Sequence, residues 1–359
     1  MKGLTCRNGV IFSIFSLILL SANITRALDL QIASKKPQLN ATEDVIISVT
    51  ITNDEHQPVS ILKWTIPGNT LEADYFEVTR DGQAVAYVGR HYKRAAAQHD
   101  DYVTLQPGEH ISQSIELSTQ FDLSVTGSYK FTYKPEIKDH DNSAFKGSEA
   151  RGTPTRHSAS TQIWIEGRND TLTVDSDAQN QPFATATGTG GVSYAQNCSN
   201  SRRTAVDKAF RVSKYMVRNA IAYLREENLG DRYTTWFGDY SPARYATAKT
   251  HFISIIRAQK DQEIAFDCGC TESAFAYVYA NAPYKIYLCN AFWSAPVRGT
   301  DSKAGTIVHE LSHFNVVAAT RDYAYGHFAA QQLARNQPDN ALYNADNHEY
   351  FAENTPFQD

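Results

Sequence analysis

The hydrophobic period changes partway along this chain, and the change divides it into two folding problems. From Leu28 to about Glu166, apolar and polar residues alternate in short runs broken by turn formers; beyond about Gly191 the apolar residues recur at helical spacing. In the front half, Val45-Ile46-Ile47-Ser48-Val49-Thr50-Ile51 is β-branched nearly throughout and Asn53-Asp54 interrupts it, while Ile61 to Ile66 ends at Pro67-Gly68-Asn69. Phe76 to Thr79, Asp81-Gly82 and Ala84 to Val88 predict a hairpin, and Gly127 to Tyr133 repeats the period of two. A length of 359 residues with 42% hydrophobic content suffices for two cores.

Short strands at this spacing predict an all-β sandwich of immunoglobulin-like kind over residues 28–166. Residues 167–191 turn to Asn, Asp, Gln, Ser, Thr and Gly, ending in Thr185-Ala186-Thr187-Gly188-Thr189-Gly190-Gly191. Such a stretch buries too little apolar surface to order itself, and reads as an exposed, cleavable linker. In residues 192–359, Val206, Phe210, Val217, Ile221 and Leu224 form a helical stripe that stops near Gly230. Ser241-Pro242 starts a second helix through Phe252, Ile255 and Ile256, and a last helix is expected near Pro338. Glu263 to Cys268 and Tyr284 to Cys289 read as short strands. The expectation is an α+β domain, mainly helical, with a small antiparallel sheet.

Lys2 and Arg7 precede an apolar run from Val10 to Leu20, and Thr25-Arg26-Ala27 follows, which reads as a secretory signal peptide over residues 1–27. The run is short for a membrane span, so a secreted, extracellular protein without a membrane anchor is expected. Cys198, Cys268, Cys270 and Cys289 all lie in the second half, an even set that predicts two disulfides in an oxidising compartment. Of the three pairings, the one joining Cys268 to Cys270 is disfavoured by disulfide geometry. A net charge of -5 without a basic block excludes a nucleic-acid footprint. Histidines and carboxylates of the front half are scattered and read as solvated surface.

The chemistry is concentrated in His309-Glu310-Leu311-Ser312-His313. On a helix, side chains at i and i+4 rise from one face, so both imidazoles can reach one zinc ion with Glu310 beside them as general base. A catalytic zinc takes three protein ligands and keeps one position open. Asp322, His327, His348 and Glu349 are the downstream candidates for the third ligand. A motif continuing to glycine at 316 and histidine at 319 is excluded by Val316 and Ala319. Asp322 is the closer choice, and a glutamate such as Glu349 or Glu353 on a later helix is the alternative.

The pentapeptide, followed by Thr320-Arg321-Asp322-Tyr323-Ala324-Tyr325-Gly326, resembles the aspzincin metallopeptidases, whose pattern is HExxH followed by GTxDxxYG; the likeness covers most of the second half. Ala319 departs from it, standing where the family has glycine. The resemblance implies Asp322 as the third ligand and Tyr325 as the phenol facing the reacting carbonyl, where a hydrogen-bond donor stabilises developing negative charge. It also implies pairing of Cys198 with Cys268 and of Cys270 with Cys289. Asn344 to Tyr350 is similar to the segment of the peptidyl-lysine branch that supplies two carboxylates to the pocket after the cut bond. Asp346 and Glu349, at i and i+3, would hold a lysine ammonium there, implying cleavage on the amino side of lysine. His348 has no assigned role.

Similarity to this family further implies that the β-rich half is a propeptide, an intramolecular chaperone and inhibitor, with proteins or peptides as the enzyme's substrates. No lysine lies between Lys146 and Lys208, so a lysine-directed enzyme could not cut its own linker, and maturation requires another protease or relaxed recognition near Arg168. The reading is a secreted zinc endopeptidase made as an inactive proenzyme. Its rivals are the same chemistry with broad deuterolysin-like specificity, and a secreted binding protein with a structural metal site. Asn40 and Asn169 open glycosylation triplets.

Overall fold

The computed structural model describes residues 28–68, 71–139, 158–168, 183–184, 191–226 and 229–358. The expected signal peptide, most of the linker and Asn169 lie outside the described residues.

The front half is β-rich, as its period of two requires. Its strands are β1 (Asp29–Ser34), β2 (Gln38–Leu39), β3 (Ile46–Thr52), β4 (Val59–Leu62), β5 (Phe76–Arg80), β6 (Gln83–Ala84), β7 (Arg90–Lys93), β8 (Tyr102–Leu105), β9 (His110–Glu116), β10 (Gly127–Tyr133), β11 (Ile137–Asp139) and β12 (Ala159–Ile165). Three sheets form, in the orders β1-β3-β9, β2-β12-β10-β5-β6 and β11-β4-β8. Alternation decides their inner faces: Ile47, Val49 and Ile51 of β3, with Tyr129, Phe131 and Tyr133 of β10, are buried in one core. The hairpin at Asp81-Gly82 is present, both residues having positive φ, 48° and 84°, as a tight two-residue turn requires. Its second arm pairs only at Gln83 and Ala84, because the chain then leaves the sheet for β7.

β7 is the element that no local pattern foreshadows. The linker contributes β13 (Phe183–Ala184), and the second half β14 (Val192–Ala195), β15 (Ile264–Asp267), β16 (Ala276–Tyr279) and β17 (Lys285–Leu288), to a sheet ordered β13-β14-β15-β17-β16-β7. Its outer strand β7 belongs to the front half and runs antiparallel to β16, with Lys93 opposite Ala276 and His91 opposite Val278. The expected antiparallel sheet is also corrected: β14 and β15 are parallel, as are β15 and β17, while β17 with β16 is antiparallel. The helices Asn200–Arg225 and Pro242–Asp261 lie between β14 and β15 in the chain, and a connection of that length can return the chain in the same direction where a tight turn cannot.

Helices cover the sheet. Asn200–Arg225 starts at Ser199, whose side chain accepts from the Arg202 amide, and Pro242–Asp261 starts at Ser241 with proline in its first turn. The C-terminal segment forms two helices, Pro338–Leu342 and Ala345–Glu353. The bonds Cys198–Cys268 and Cys270–Cys289 close loops with sequence separations of 70 and 19, the first tying the start of the long helix to the end of β15.

Two features carry measurable consequences. Ala319 sits at φ 51° in the turn after the metal-motif helix, a left-handed conformation that costs a residue with a Cβ roughly 1–2 kcal/mol. Ala319→Gly removes that strain but adds freedom to the unfolded chain; the net expectation is a gain of up to about 1 kcal/mol, read as a higher urea midpoint. In the core, His251 Nδ1 lies 3.0 Å from His348 Nε2, and His348 Nδ1 lies 3.0 Å from the Asn344 carbonyl. Burial lowers His251 to about 4, and burial together with His251 lowers His348 to about 3. The unfolded chain therefore binds more protons below about pH 6.5, and stability falls as pH drops, by on the order of 2 kcal/mol at pH 5 for His251 alone. His251→Gln should flatten that acid limb in urea titrations of the inactive Glu310→Gln protein; parallel limbs would refute the account.

Candidate active site

The metal-motif helix, Lys303–His313, is buried along its whole length, so its polar residues must find partners inside the protein. Its N-cap Ser302 accepts from the Gly305 amide at 2.9 Å. Ser302 donates its hydroxyl and its own amide to Glu353, at 2.7 and 2.8 Å. Gly305 is required by space: a Cβ there would stand 2.1 Å from Glu353 Oε1 and 2.9 Å from Glu349 Oε1. This close approach brings the C-terminal helix and its carboxylates against the motif.

Each imidazole of the motif is oriented through its outer nitrogen. His313 Nδ1 lies 2.9 Å from the Thr320 carbonyl, which can accept its proton, and His309 Nδ1 lies 2.9 Å from Asp346 Oδ1 and 3.3 Å from Glu349 Oε2. Both Nε2 atoms therefore face inward. There, His309 Nε2 lies 3.2 Å from Asp322 Oδ1 and His313 Nε2 lies 3.5 Å from Asp322 Oδ2. Tetrahedral zinc with bonds near 2.0–2.1 Å separates its ligands by roughly 3.3 Å. Among the described residues, both Nε2 atoms and Asp322 Oδ1 are buried without a hydrogen-bond partner, so this donor set fits a metal ion.

Asp322 comes to this point because of a residue that the sequence reading passed over. Asn344 accepts from the Tyr323 and Ala324 amides at 2.8 and 3.1 Å and donates to the Ala324 carbonyl at 3.0 Å. An asparagine two residues before Asp346 carries no periodic signal, so nothing local marked it for this role. The other candidates for third ligand lie elsewhere. His348 is paired with His251, His327 packs against the Trp236 and Tyr350 rings, and Glu349 meets His309 at the ring nitrogen opposite the one facing Asp322.

Asp346 and Glu349 share one face of the helix Ala345–Glu353 and are fully buried. Asp346 Oδ2 accepts from the Gly326 amide at 2.7 Å, and glycine permits the φ of 84° that aims that amide. The two carboxylates enclose the side chain of Lys93. Its ammonium lies 2.8 Å from Asp301 Oδ1, 2.9 Å from Asp346 Oδ1, 3.1 Å from Glu349 Oε2 and 3.4 Å from the Tyr350 hydroxyl. Burial opposes the charge on the lysine, but the three carboxylates outweigh it and hold its pKa well above the usual range. Burial likewise opposes charge on His309, and the carboxylates of Asp322, Asp346 and Glu349 outweigh it. The cleft therefore favours the Lys93 ammonium and, at His309 Nε2, a cation such as a metal ion.

Tyr325 donates its hydroxyl to the Tyr92 carbonyl at 2.8 Å. Burial holds the Glu310 carboxyl well above the ordinary value, with His309 and the next amide, that of Lys93, acting to lower it. Tyr325 and Glu310 thus flank one peptide unit, Tyr92–Lys93. The site residues expected from the second half, His309, Glu310, His313, Asp322, Tyr325, Asp346 and Glu349, come together around it, whereas His91, Lys93 and Asp301 were not foreseen.

Residues 222–353 match the model of the aspzincin family, described as lysine-specific metallo-endopeptidase. The chain is 42% identical to an extracellular protease of Aeromonas hydrophila over 88% of its own length and 90% of that protein's. It is 33% identical to a peptidyl-Lys metalloendopeptidase of Grifola frondosa, over 89% of this chain and 91% of that one. A solved zinc peptidase from Grifola frondosa aligns at 46% identity with a TM-score of 0.44, covering 45% of this chain and 100% of that structure. With the HExxH helix, the aspartate-bearing turn and full-length relatives in agreement, this chain belongs to the aspzincin family of zinc metalloendopeptidases.

Proposed function

We propose that this chain is the latent, secreted form of a zinc endopeptidase that cuts on the amino side of lysine. The observation that carries the reading is the buried Lys93 ammonium held by Asp301, Asp346 and Glu349. A recess that stabilises one lysine so fully would accept a substrate lysine after the cut bond, and would leave its carboxylates unpaired around an apolar side chain. Such a penalty favours strict lysine preference over the broad deuterolysin-like alternative.

In this mechanism His309, His313 and Asp322 would hold one zinc ion, which when bound supplies Lewis-acid polarisation and a lowered pKa for water. Glu310 takes the proton of the attacking water and returns it to the leaving amine. Tyr325 donates to the carbonyl oxygen as negative charge develops there, the contact it makes with Tyr92. Asp346 and Glu349 have two tasks, holding the substrate ammonium and fixing the ring of His309.

The β-rich half acts as propeptide and inhibitor, because β7 occupies the groove that a substrate needs. An immunoglobulin-like description of that half is supported by the sheets β1-β3-β9 and β12-β10-β5, and by the Tyr129 hydroxyl, which donates to the Val125 carbonyl just upstream. Export is supported by the apolar leader and two disulfides, and by the likeness to an extracellular protease of Aeromonas hydrophila. No helix among the described residues is long and apolar enough to cross a membrane.

Two measurements test this. Asp322→Ala should lose most of its zinc on dialysis while Glu349→Gln keeps it, and equal loss would overturn the ligand assignment. In a digest of mixed proteins by the processed enzyme, lysine should follow nearly every cut; cuts without that bias would restore the broad-specificity reading.

A further inference from the structure

β7 lies in the cleft as a bound peptide would. It extends the sheet at the β16 edge, and the Lys93 carbonyl accepts from the Phe275 amide at 2.9 Å. If Lys93 fills the recess after the cut bond, then Tyr92–Lys93 is the bond presented to Glu310 and Tyr325. A seated lysyl bond should be hydrolysed, yet the propeptide role requires it to persist. The residue before it offers the reason.

His91 is 5% exposed, its ring stacked on that of His313 at 4.8 Å between centroids and 27° between planes. Its Nδ1 lies 3.9 Å from Asp322 Oδ2, and ligand atoms of His91, His313 and Asp322 all lie within 4.8 Å of one another. Tyr87 packs edge-on against the ring from the other side, at 5.3 Å. Donors of His91, His313 and Asp322 therefore cluster, and His309 Nε2 adjoins them through Asp322 Oδ1 at 3.2 Å. A zinc site with four protein ligands is closed, whereas hydrolysis needs the fourth position for water.

We propose that His91 is the fourth protein ligand of the metal in the uncut chain, so that Arg90–Lys93 is seated as substrate but held as inhibitor. Lys93 supplies recognition and His91 supplies latency. The inference rests on the lysine-directed reading for the meaning of Lys93, but the His91 contact stands on its own geometry. Separation of the front half withdraws both residues together and opens the site.

The test uses the full chain carrying Glu310→Gln and loaded with cobalt(II). Adding His91→Ala should shift the visible cobalt absorption and speed metal loss to a chelator by on the order of tenfold. His91→Asn serves as a second, more conservative variant, and Lys93→Met, which leaves the imidazole in place, should keep the parent spectrum. In the chain with Glu310 intact, His91→Ala should permit water to add to the Tyr92 carbonyl carbon and the C–N bond to break. The products are a carboxylate on Tyr92 and a free amine on Lys93, seen by mass spectrometry as a fragment starting at Lys93. Unchanged cobalt spectra and chelator rates in both His91 variants, or cleavage of Tyr92–Lys93 in the chain with His91 present, would overturn the proposal. Failure of the processed enzyme to cut lysyl peptides would instead overturn the functional reading and leave the cobalt result to judge His91.

Discussion

The arrangement turns on a buried surplus of negative charge. Asp346 and Glu349 are fully buried on the C-terminal helix, with Asp301 beside them. Burying carboxylates costs several kcal/mol each unless opposite charges and donors meet them. Here the partners are the imidazole of His309, the ammonium of Lys93 and the Gly326 amide. At an effective dielectric of 20, two opposite unit charges 4 Å apart attract by about 4 kcal/mol before desolvation is subtracted. The cluster therefore holds together the metal-motif helix, the last helix and a strand from the other half of the chain.

The same charges place the proposed lysine recess directly behind the proposed metal ligand His309. A carboxylate that steadies His309 from behind must stand within one side chain's length of the metal, and the recess it lines lies next to the reacting bond. Asn344 completes the arrangement by gathering the Tyr323 and Ala324 amides, which carries Asp322 in front of the two imidazoles. Chemistry and selectivity share these supports, so a change to one carboxylate reaches both.

Much of the second half was legible because its signals are local. Helical spacing put His309 and His313 on one face, and Asp346 and Glu349 followed the i, i+3 rule. The sheet was less legible: β16, with Tyr277 and Tyr279 in a short run, lacks the alternation that marks a half-exposed strand, because all four of its residues are buried. Strand direction was misread for a related reason, since no local pattern distinguishes a parallel neighbour from an antiparallel one. Arg90–Lys93 carried no signal at all, being four residues whose partners lie about 180 or more positions away.

The sequence by itself determined the change of period from strand to helix, the HExxH helix with both histidines on one face, and the placing of Asp346 and Glu349 on one helix face, because periodicity and short spacing are properties of neighbouring residues. Only the tertiary structure decided that Lys93 lies between those carboxylates, that His91 stands beside Asp322, and that Asn344 holds the aspartate turn. Those contacts depend on an edge strand finding a distant sheet and on buried charges finding opposite charges, and neither condition is written in any window of the chain.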